Sequence, residues 1–317
     1  MPPVYSGIRL LLVAKFNLRY HRTGVALRDA LRAMGCDVAW VEERTRGWDA
    51  LLRRSLPRRL ESALKRHRPD AVLVFKGERL APEVIDRLRP LGRARWINWF
   101  PDSPHQLELS LRIGRAYNRS FIFDTSMVVR HRALGRPADY LAEGFDPDFH
   151  RPLPDLGRPR DRIAFVGTNE PYRARALEAV TDLGLTVRGP GWPSGPVYGP
   201  DFIRAFSSAD VALNIHQFFG EPMQDGRYGT GANRRVFELA GIGTVQLCDA
   251  KADIARNFEE GSEIVLFRSS AELRARALEL LESPAERIAI AVRARSRALR
   301  EHTWRHRPDE LLTVSLR

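Results

Sequence analysis

Short apolar runs alternate with longer amphipathic stretches from one end of the chain to the other. In the first half, Ile8–Val13, Asp37–Val41, Ala71–Phe75, Ala94–Asn98, Ser120–Phe123 and Ala138–Leu141 read as strands with helices between them. The first of those helices, Thr23–Met34, carries Val25, Leu27 and Leu31 and stops at Gly35, a residue suited to a helix C-terminal cap. After Gly144 the pattern changes. Phe145–Pro154 holds three prolines (Pro147, Pro152 and Pro154), has no periodicity and reads as a linker. A second alternating series follows, with strands at Arg162–Val166, Leu185–Arg188, Val211–Ile215, Thr244–Leu247 and Glu263–Phe267. Its helices are Tyr172–Leu183, Ser270–Glu282 and Pro284–Glu301, before an apolar and basic tail. Alternation of this kind predicts an α/β protein of two Rossmann-like domains, each a doubly wound parallel sheet with helices on both faces. The expected division is 1–150 and 151–317, with the last helix free to return to the first domain. Two such domains on one linker are expected to face a central cleft, where ligands usually sit.

The length of 317 residues fits two domains, and 44% hydrophobic with 28% charged residues is a globular balance. No apolar run approaches the ~20 residues that span a bilayer, and the N-terminus lacks a basic region with a cleavage site. A cytoplasmic protein is the expectation. Cys36 and Cys248 stand far apart without disulfide or metal-ligand spacing. The net charge of +12 invites nucleic acid as a partner. Against it, no basic module interleaved with aromatics is present. Lysine occurs only at Lys15, Lys65, Lys76 and Lys251, while arginine is spread through nearly every segment, as much a compositional habit as an electrostatic design. The densest basic run, Arg53 to Arg68, lies on a predicted helix. It is either a solvated face or a peripheral contact for an anionic inner-membrane surface or an acidic acceptor.

The segment Tyr228–Thr244 carries the strongest chemical signal. Gly229 and Gly231 precede Ala232-Asn233-Arg234-Arg235-Val236-Phe237-Glu238, which opens a helix. Glycines before a helix let backbone N–H groups approach a phosphate, and the helix dipole adds partial positive charge there. Arg234 and Arg235 add full positive charge in the first turn, which suits an occupied anion site better than an empty helix start. Glu238, one turn along, can accept both hydroxyls of a ribose. The plain alternative is a loop and a core helix with Glu238 paired to an arginine.

Arg235-Val236-Phe237-Glu238, Gly241, Gly243, the Leu247-Cys248-Asp249 turn and His302–Arg307 resemble the signature of the spore-maturation-protein (CgeB-like) glycosyltransferases of the GT-B superfamily. Phe165-Val166-Gly167-Thr168 with Arg173, Gly189-Pro190-Gly191-Trp192 and Leu213-Asn214-Ile215-His216 follow the same template in order, as do Trp99–Pro104 and Tyr140–Pro147. The resemblance implies a GT-B fold and transfer of a sugar, a hexose by preference, from a nucleotide diphosphate donor to an unidentified acceptor. It places the ribose on Glu238 and the diphosphate on the backbone from Gly231 through Asn233 to Arg234, with the Arg235 side chain. Gly167 and Thr168, beside Arg173, close over the distal phosphate or sugar; the base lies near Pro190, Gly191 and Trp192, and Asn214 and His216 complete the donor set. Many retaining relatives carry a glutamate eight positions before the ribose-binding one. Thr230 stands there, so the stereochemical outcome is open.

No Asp-x-Asp pair of the metal-binding type is recognised, and arginines with helix amides can stabilise a departing diphosphate, so neither a metal nor another cofactor is expected. An inverting reaction needs a base. Asp102, after the fourth strand, is the first candidate and His21 the second, against readings as a helix-capping aspartate and a solvated loop histidine. His216 reads equally as a structural histidine. His302 and His306, four apart, read as part of a packing helix in the absence of a third ligand. Two other functions share some of these features: a nucleotide-sugar epimerase or hydrolase of the same fold, for which no second carboxylate set is found, and a basic nucleic-acid-binding protein.

Overall fold

The computed structural model describes residues 5–16, 23–44, 55–102, 104–154, 161–217 and 229–316. His21 lies outside the described residues. The chain forms two compact units, Met1–Ala142 with Trp304–Arg317, and Glu143–Thr303.

The first unit is built on a six-stranded parallel sheet in the order β2-β1-β3-β4-β5-β6. Its strands are β1 (Arg9–Ala14), β2 (Asp37–Glu42), β3 (Ala71–Phe75), β4 (Arg95–Phe100), β5 (Arg119–Ile122) and β6 (Ala138–Tyr140). Its helices are α1 (Thr23–Ala33), α2 (Leu56–His67), α3 (Pro82–Leu88), α4 (Leu107–Gly114) and α5 (Thr125–Ala133), with a last helix from the chain end. Successive strand residues point to opposite faces, and both faces are covered, which is why these strands read as almost unbroken apolar runs. Leu11, Val13, Val72, Val74 and Phe100 pack with Leu60 and Leu64 of α2, Ile85 of α3 and Ile113 of α4. On the other face Leu10, Leu12, Leu73, Ile97 and Trp99 meet Leu27 and Leu31 of α1, together with Trp304, Leu311 and Leu312.

The second unit carries five parallel strands in the order β11-β10-β9-β7-β8. They are β7 (Asp161–Val166), β8 (Leu185–Arg188), β9 (Ala209–Asn214), β10 (Gln246–Asp249) and β11 (Val265–Phe267). Helices α6 (Pro171–Glu178), α7 (Pro200–Ser207), α8 (Arg234–Ile242), α9 (Ser270–Glu282) and α10 (Pro284–Glu301) flank it. Phe165, Leu213, Leu247 and Phe267 pack against Leu177 of α6, Leu273 and Leu280 of α9 and Ile290 of α10. Ala164, Val166 and Ala212 pack against Phe206 of α7 and Leu239 and Ile242 of α8. The final helix α11 (His306–Ser315) belongs to the first unit, where Arg95 Nη1 donates to the Ser315 carbonyl at 2.5 Å and Tyr5 Oη donates to Asp309 Oδ1 at 2.9 Å.

Three local expectations are corrected. The helix expected over Tyr172–Leu183 ends at Glu178 and resumes as a 3-10 turn at Thr181–Leu183; the Thr181 hydroxyl donates to the Leu177 carbonyl at 3.1 Å, and β-branched Val180 and Thr181 disfavour continuation. His302 and His306 do not share a helix. His302 caps α10, with Nε2 2.9 Å from the Asn257 carbonyl and its ring against Phe237 and Phe258, while His306 opens α11. Asp146-Pro147-Asp148 does spell Asp-x-Asp, but Asp146 Oδ1 accepts the Asp148 N–H at 3.1 Å and closes a turn. Among the described residues no helix is long and apolar enough to cross a membrane.

Gly241 shows how tightly the 145–150 segment is seated on α8. A Cβ there would lie 2.3 Å from the Phe145 ring and 3.0 Å from the His150 carbonyl, and Phe145 is fully buried, so its ring has nowhere to go. Alanine would gain up to about 1 kcal/mol in helix propensity, against roughly 1–3 kcal/mol lost to overpacking. Gly241→Ala is therefore expected to destabilise the protein, read as a lower denaturation midpoint in urea at unchanged slope.

Candidate functional site

Parallel doubly wound sheets bind ligands beyond the C-terminal ends of their strands, at the point where the strand order reverses. In the second unit that point lies between β7 and β9. Residues singled out from the sequence converge there. Gly167 and Thr168 follow β7, Asn214 ends β9 and His216 lies just past it, and Arg173 spans the two: its guanidinium donates to the Ile215 carbonyl at 2.8 and 3.2 Å and to the Thr168 carbonyl at 3.3 Å. The turn after β8 packs on the turn after β7. Trp192 Nε1 donates to the Gly167 carbonyl at 2.9 Å, and a Cβ on Gly189 would sit 2.0 Å from that same oxygen. Gly191, at φ +82°, presents its carbonyl to Asn169 Nδ2 at 3.1 Å. These glycines let two strand-end turns stack backbone to backbone.

Helix α8 starts beside them. Asn233 is its N-cap, extended in backbone, with its side-chain oxygen accepting the Val236 N–H at 3.2 Å. Its amide side chain also exchanges reciprocal hydrogen bonds with Asn214, each 3.2 Å. The Asn233 N–H donates to His216 Nε2 at 3.0 Å, which puts the imidazole proton on Nδ1, and Nδ1 donates to Asp249 Oδ1 at 2.7 Å. The His216 N–H donates to the same carboxylate oxygen, also at 2.7 Å. Asp249 is fully buried at the end of β10. Burial opposes its ionisation, but His216 and Lys251 outweigh that and hold its carboxyl below the ordinary range. Both ring nitrogens of His216 are thus engaged within the protein.

The remaining residues of α8 are held from below. The Arg235 Nη1 donates to the Val166 carbonyl at 2.6 Å, Nε to Glu238 Oε2 at 3.3 Å, and the guanidinium lies 4.5 Å from the Phe202 ring centre. Its charge is spent on the end of β7 and on Glu238. Arg234 Nε donates to buried Glu143 at 3.1 Å. Glu238 faces His150, with Nε2 to Oε1 at 3.6 Å, and keeps 16% of its side-chain surface exposed. Burial lowers the His150 imidazole from its ordinary value, so at neutral pH it offers a polar contact more than a charge. For Glu238, burial is outweighed by His150, Arg235 and Arg234, and the carboxyl stays below its ordinary value. Glu143, His150 and Asp249 were not candidate site residues from sequence, although Glu143 and Asp249 lie in stretches that carry the family resemblance and His150 lies in the proline-rich segment.

Thr230 is tied elsewhere: its hydroxyl donates to Asp253 Oδ2 at 2.8 Å and its carbonyl accepts the Asp253 N–H at 2.9 Å. Beside it a recess of about 400 Å³ is lined by Gly229, Thr230, Lys251, Phe258 and Arg268. His216, Cys248 and Asp249 offer ligand atoms within 4.8 Å of one another, a tertiary cluster the cysteine spacing did not announce. Burial, reinforced by Asp249, holds the Cys248 thiol in its protonated form, and the histidine nitrogens are already committed, so the cluster works as a hydrogen-bond network.

In the first unit Asp102 follows β4, and its Oδ2 pairs with Lys76 Nζ at 2.9 Å. Lys76 also pairs with Glu78 at 2.7 Å, and Glu78 with Lys15 at 2.5 Å. Buried Glu43 stands beneath, with Oε1 accepting the Arg79 N–H at 3.1 Å. Asp102 thus belongs to an ion cluster at this sheet's strand ends.

Residues 173–313 match the protein-family model described as "Glycosyl transferase-like". No curated protein matches the sequence. Among solved structures, sucrose-phosphate synthase (tll1590) from Thermosynechococcus elongatus is 12% identical with a TM-score of 0.67, covering 97% of this chain and 98% of that one. Anabaena Alr3699/HepE in complex with UDP and glucose is 12% identical at a TM-score of 0.63, covering 98% and 100%. AviGT4, a glycosyltransferase involved in Avilamycin A biosynthesis, is 17% identical at 0.58, covering 92% and 95%. At such identities the likeness is one of architecture, and the architecture of this chain is the GT-B fold.

Two outcomes test the local electrostatics. His216→Ala leaves buried Asp249 without its imidazole partner and the Asn233 N–H without an acceptor, and should cost about 3–5 kcal/mol of stability in denaturant titration. Glu78 is drawn down to about 2 from an ordinary 4.5, because hydrogen bonds from Lys15 and Lys76 outweigh the opposing burial. A depressed carboxyl stabilises above its unfolded value and loses that contribution as pH falls through the folded one. The melting temperature of Glu78→Gln should fall below wild type at pH 7, with the gap closing between pH 4.5 and 2.

Proposed function

We propose that the chain is a glycosyltransferase of the CgeB-like kind that takes its sugar, a hexose by preference, from a nucleotide diphosphate donor bound by the second unit. The observation that carries this reading is the start of α8. An N-cap turn held from three sides lies at the sheet's switch point, and a partly exposed carboxylate, Glu238, stands one turn further on. First-turn amides of a helix have no helical acceptor, and a diphosphate satisfies them while neutralising the dipole. In this reading the diphosphate lies against the turn from Gly231 to Arg234, which Asn233 positions through its own N–H bond to His216, with Gly167 and Thr168 across from it, and Glu238 takes the ribose hydroxyls. Arg235 and Arg173 contribute charge from behind, since their guanidinium groups already hold main-chain carbonyls.

The match of residues 173–313 to a glycosyltransferase-like family model supports the assignment, and so does the fold shared with Alr3699/HepE, whose structures contain UDP and UDP-glucose. Charge stabilisation by helix amides and arginines supplies what a metal would otherwise supply, so the reaction is proposed to run without one. Asp102 is the proposed proton acceptor if configuration inverts, with His21 as the second candidate. With Thr230 bonded to Asp253, the position that bears a glutamate in many retaining relatives offers no carboxylate.

A thermal-shift panel of uridine, guanosine, thymidine and adenosine diphosphates, with and without EDTA, tests the reading. One nucleotide should raise the melting temperature in both conditions, and no shift with any of them would overturn the donor site. Glu238→Ala should weaken that nucleotide by about 1 to 3 kcal/mol with the fold intact, measured by calorimetric titration.

A further inference from the structure

The first sheet has its own switch point, between β1 and β3, and a lysine stands immediately beyond the end of each strand: Lys15 after Ala14 and Lys76 after Phe75. In a chain with only four lysines among 51 basic residues, two at one switch point mark a place where a compact ammonium serves and a planar guanidinium does not. Lys76 adopts φ +66°, a left-handed conformation costly for a side-chain-bearing residue, and Gly77 follows at φ +80°. Asn98 Nδ2 holds this turn by donating to the Val74 and Lys76 carbonyls, each at 3.1 Å.

The turn carries more polar capacity than the protein itself uses. Glu43 is 2% exposed, yet its Oε2 has no hydrogen-bond partner, and the Tyr117 hydroxyl, buried under Gly77, has none either. Burial raises the Glu43 carboxyl above its ordinary value. Burial also works against the charge of Lys76, but Glu78 and Asp102 outweigh it and keep the ammonium protonated. Two ammonium groups therefore meet the two carboxylates of Glu78 and Asp102 with little net charge, and each lysine has three N–H donors to share among them.

We propose that this quartet of Lys15, Lys76, Glu78 and Asp102 is a binding site for a neutral, polyhydroxylated acceptor, and that it selects against phosphorylated or carboxylated ones. Vicinal hydroxyls of a saccharide donate to a carboxylate and accept from an ammonium at once, which matches alternating charges with spare hydrogen-bonding capacity. An anionic acceptor would instead face Glu78 and Asp102 without a surplus of positive charge. The assignment as an acceptor site rests on the glycosyl-transfer reading; the assignment as a saccharide site does not.

The test is saturation-transfer difference NMR on the full chain without nucleotide, using methyl α-glucoside, methyl α-galactoside and methyl α-mannoside as neutral probes and glucose 6-phosphate as the anionic one. At least one methyl glycoside should give signals stronger than glucose 6-phosphate. Lys76→Met and Asp102→Asn should each reduce those signals to background while the affinity for the nucleotide that stabilises wild type stays within twofold. Asp102→Asn keeps the test valid if Lys76→Met fails to fold. Wild-type silence towards every methyl glycoside, preference for glucose 6-phosphate, or undiminished signals in Asp102→Asn would overturn the proposal. A failure of every nucleotide to bind, with glycoside signals intact, would strike the donor site instead and leave this one standing.

Discussion

The line of hydrogen bonds from Asp249 through His216 to the Asn233 amide is the constraint on which the second unit's functional geometry depends. It joins the end of β10, the segment after β9 and the N-cap of α8, and so ties the start of the helix to two neighbouring strands of the sheet. A buried carboxylate is expensive unless paired, so Asp249 cannot tolerate an imidazole that has swung away; an imidazole held in place in turn fixes where the helix begins. The reciprocal amide pair of Asn214 and Asn233 adds a second tether from β9. In the proposed reading, a helix start defined to this degree needs no reorganisation to receive an anion, which is the condition for strong electrostatic stabilisation.

The strands were legible because parallel strands covered on both faces spell short apolar runs, and all eleven lie within two residues of where those runs place them. The glycine turns were legible too, since Gly189 and Gly191 occupy backbone conformations that other residues adopt only under strain. What the pattern could not reveal is where charged side chains end up. Arg235 looks from its position like a phosphate ligand, yet its guanidinium reaches the Val166 carbonyl in a strand 69 residues earlier. Asp102 stands in a turn that suits a helix cap, and only the folding of β3 beside β4 brings Lys76 to it. The division of roles between His302 and His306 was hidden for a related reason: their spacing fits one helix, and the break between α10 and α11 is set by what packs around Trp304 and His302.

The five strands of the second sheet repeat the order of the first five strands of the first, and both sheets concentrate polar chemistry at the same topological place, but with different means. The second unit uses backbone amides, glycine turns and arginines whose charge is directed at main-chain carbonyls. The first uses whole side-chain charges in alternation, on a strained turn supported by Asn98 and by a buried glutamate that is costly to ionise. Strain and unsatisfied polar atoms persist in a protein only where the surrounding structure over-determines them, and they concentrate where function requires it.

The last helix has a consequence for how the chain is made. Leu311 and Leu312 complete an apolar face begun by Leu10, Leu12, Leu27 and Leu31, so residues from opposite termini form one cluster. During synthesis, Glu143–Thr303 emerges in full before those leucines do, and until then α1 covers only part of that face of the first sheet. The earlier-made half of the molecule is therefore the later one to finish folding. In that interval it exposes the kind of apolar surface that chaperones recognise.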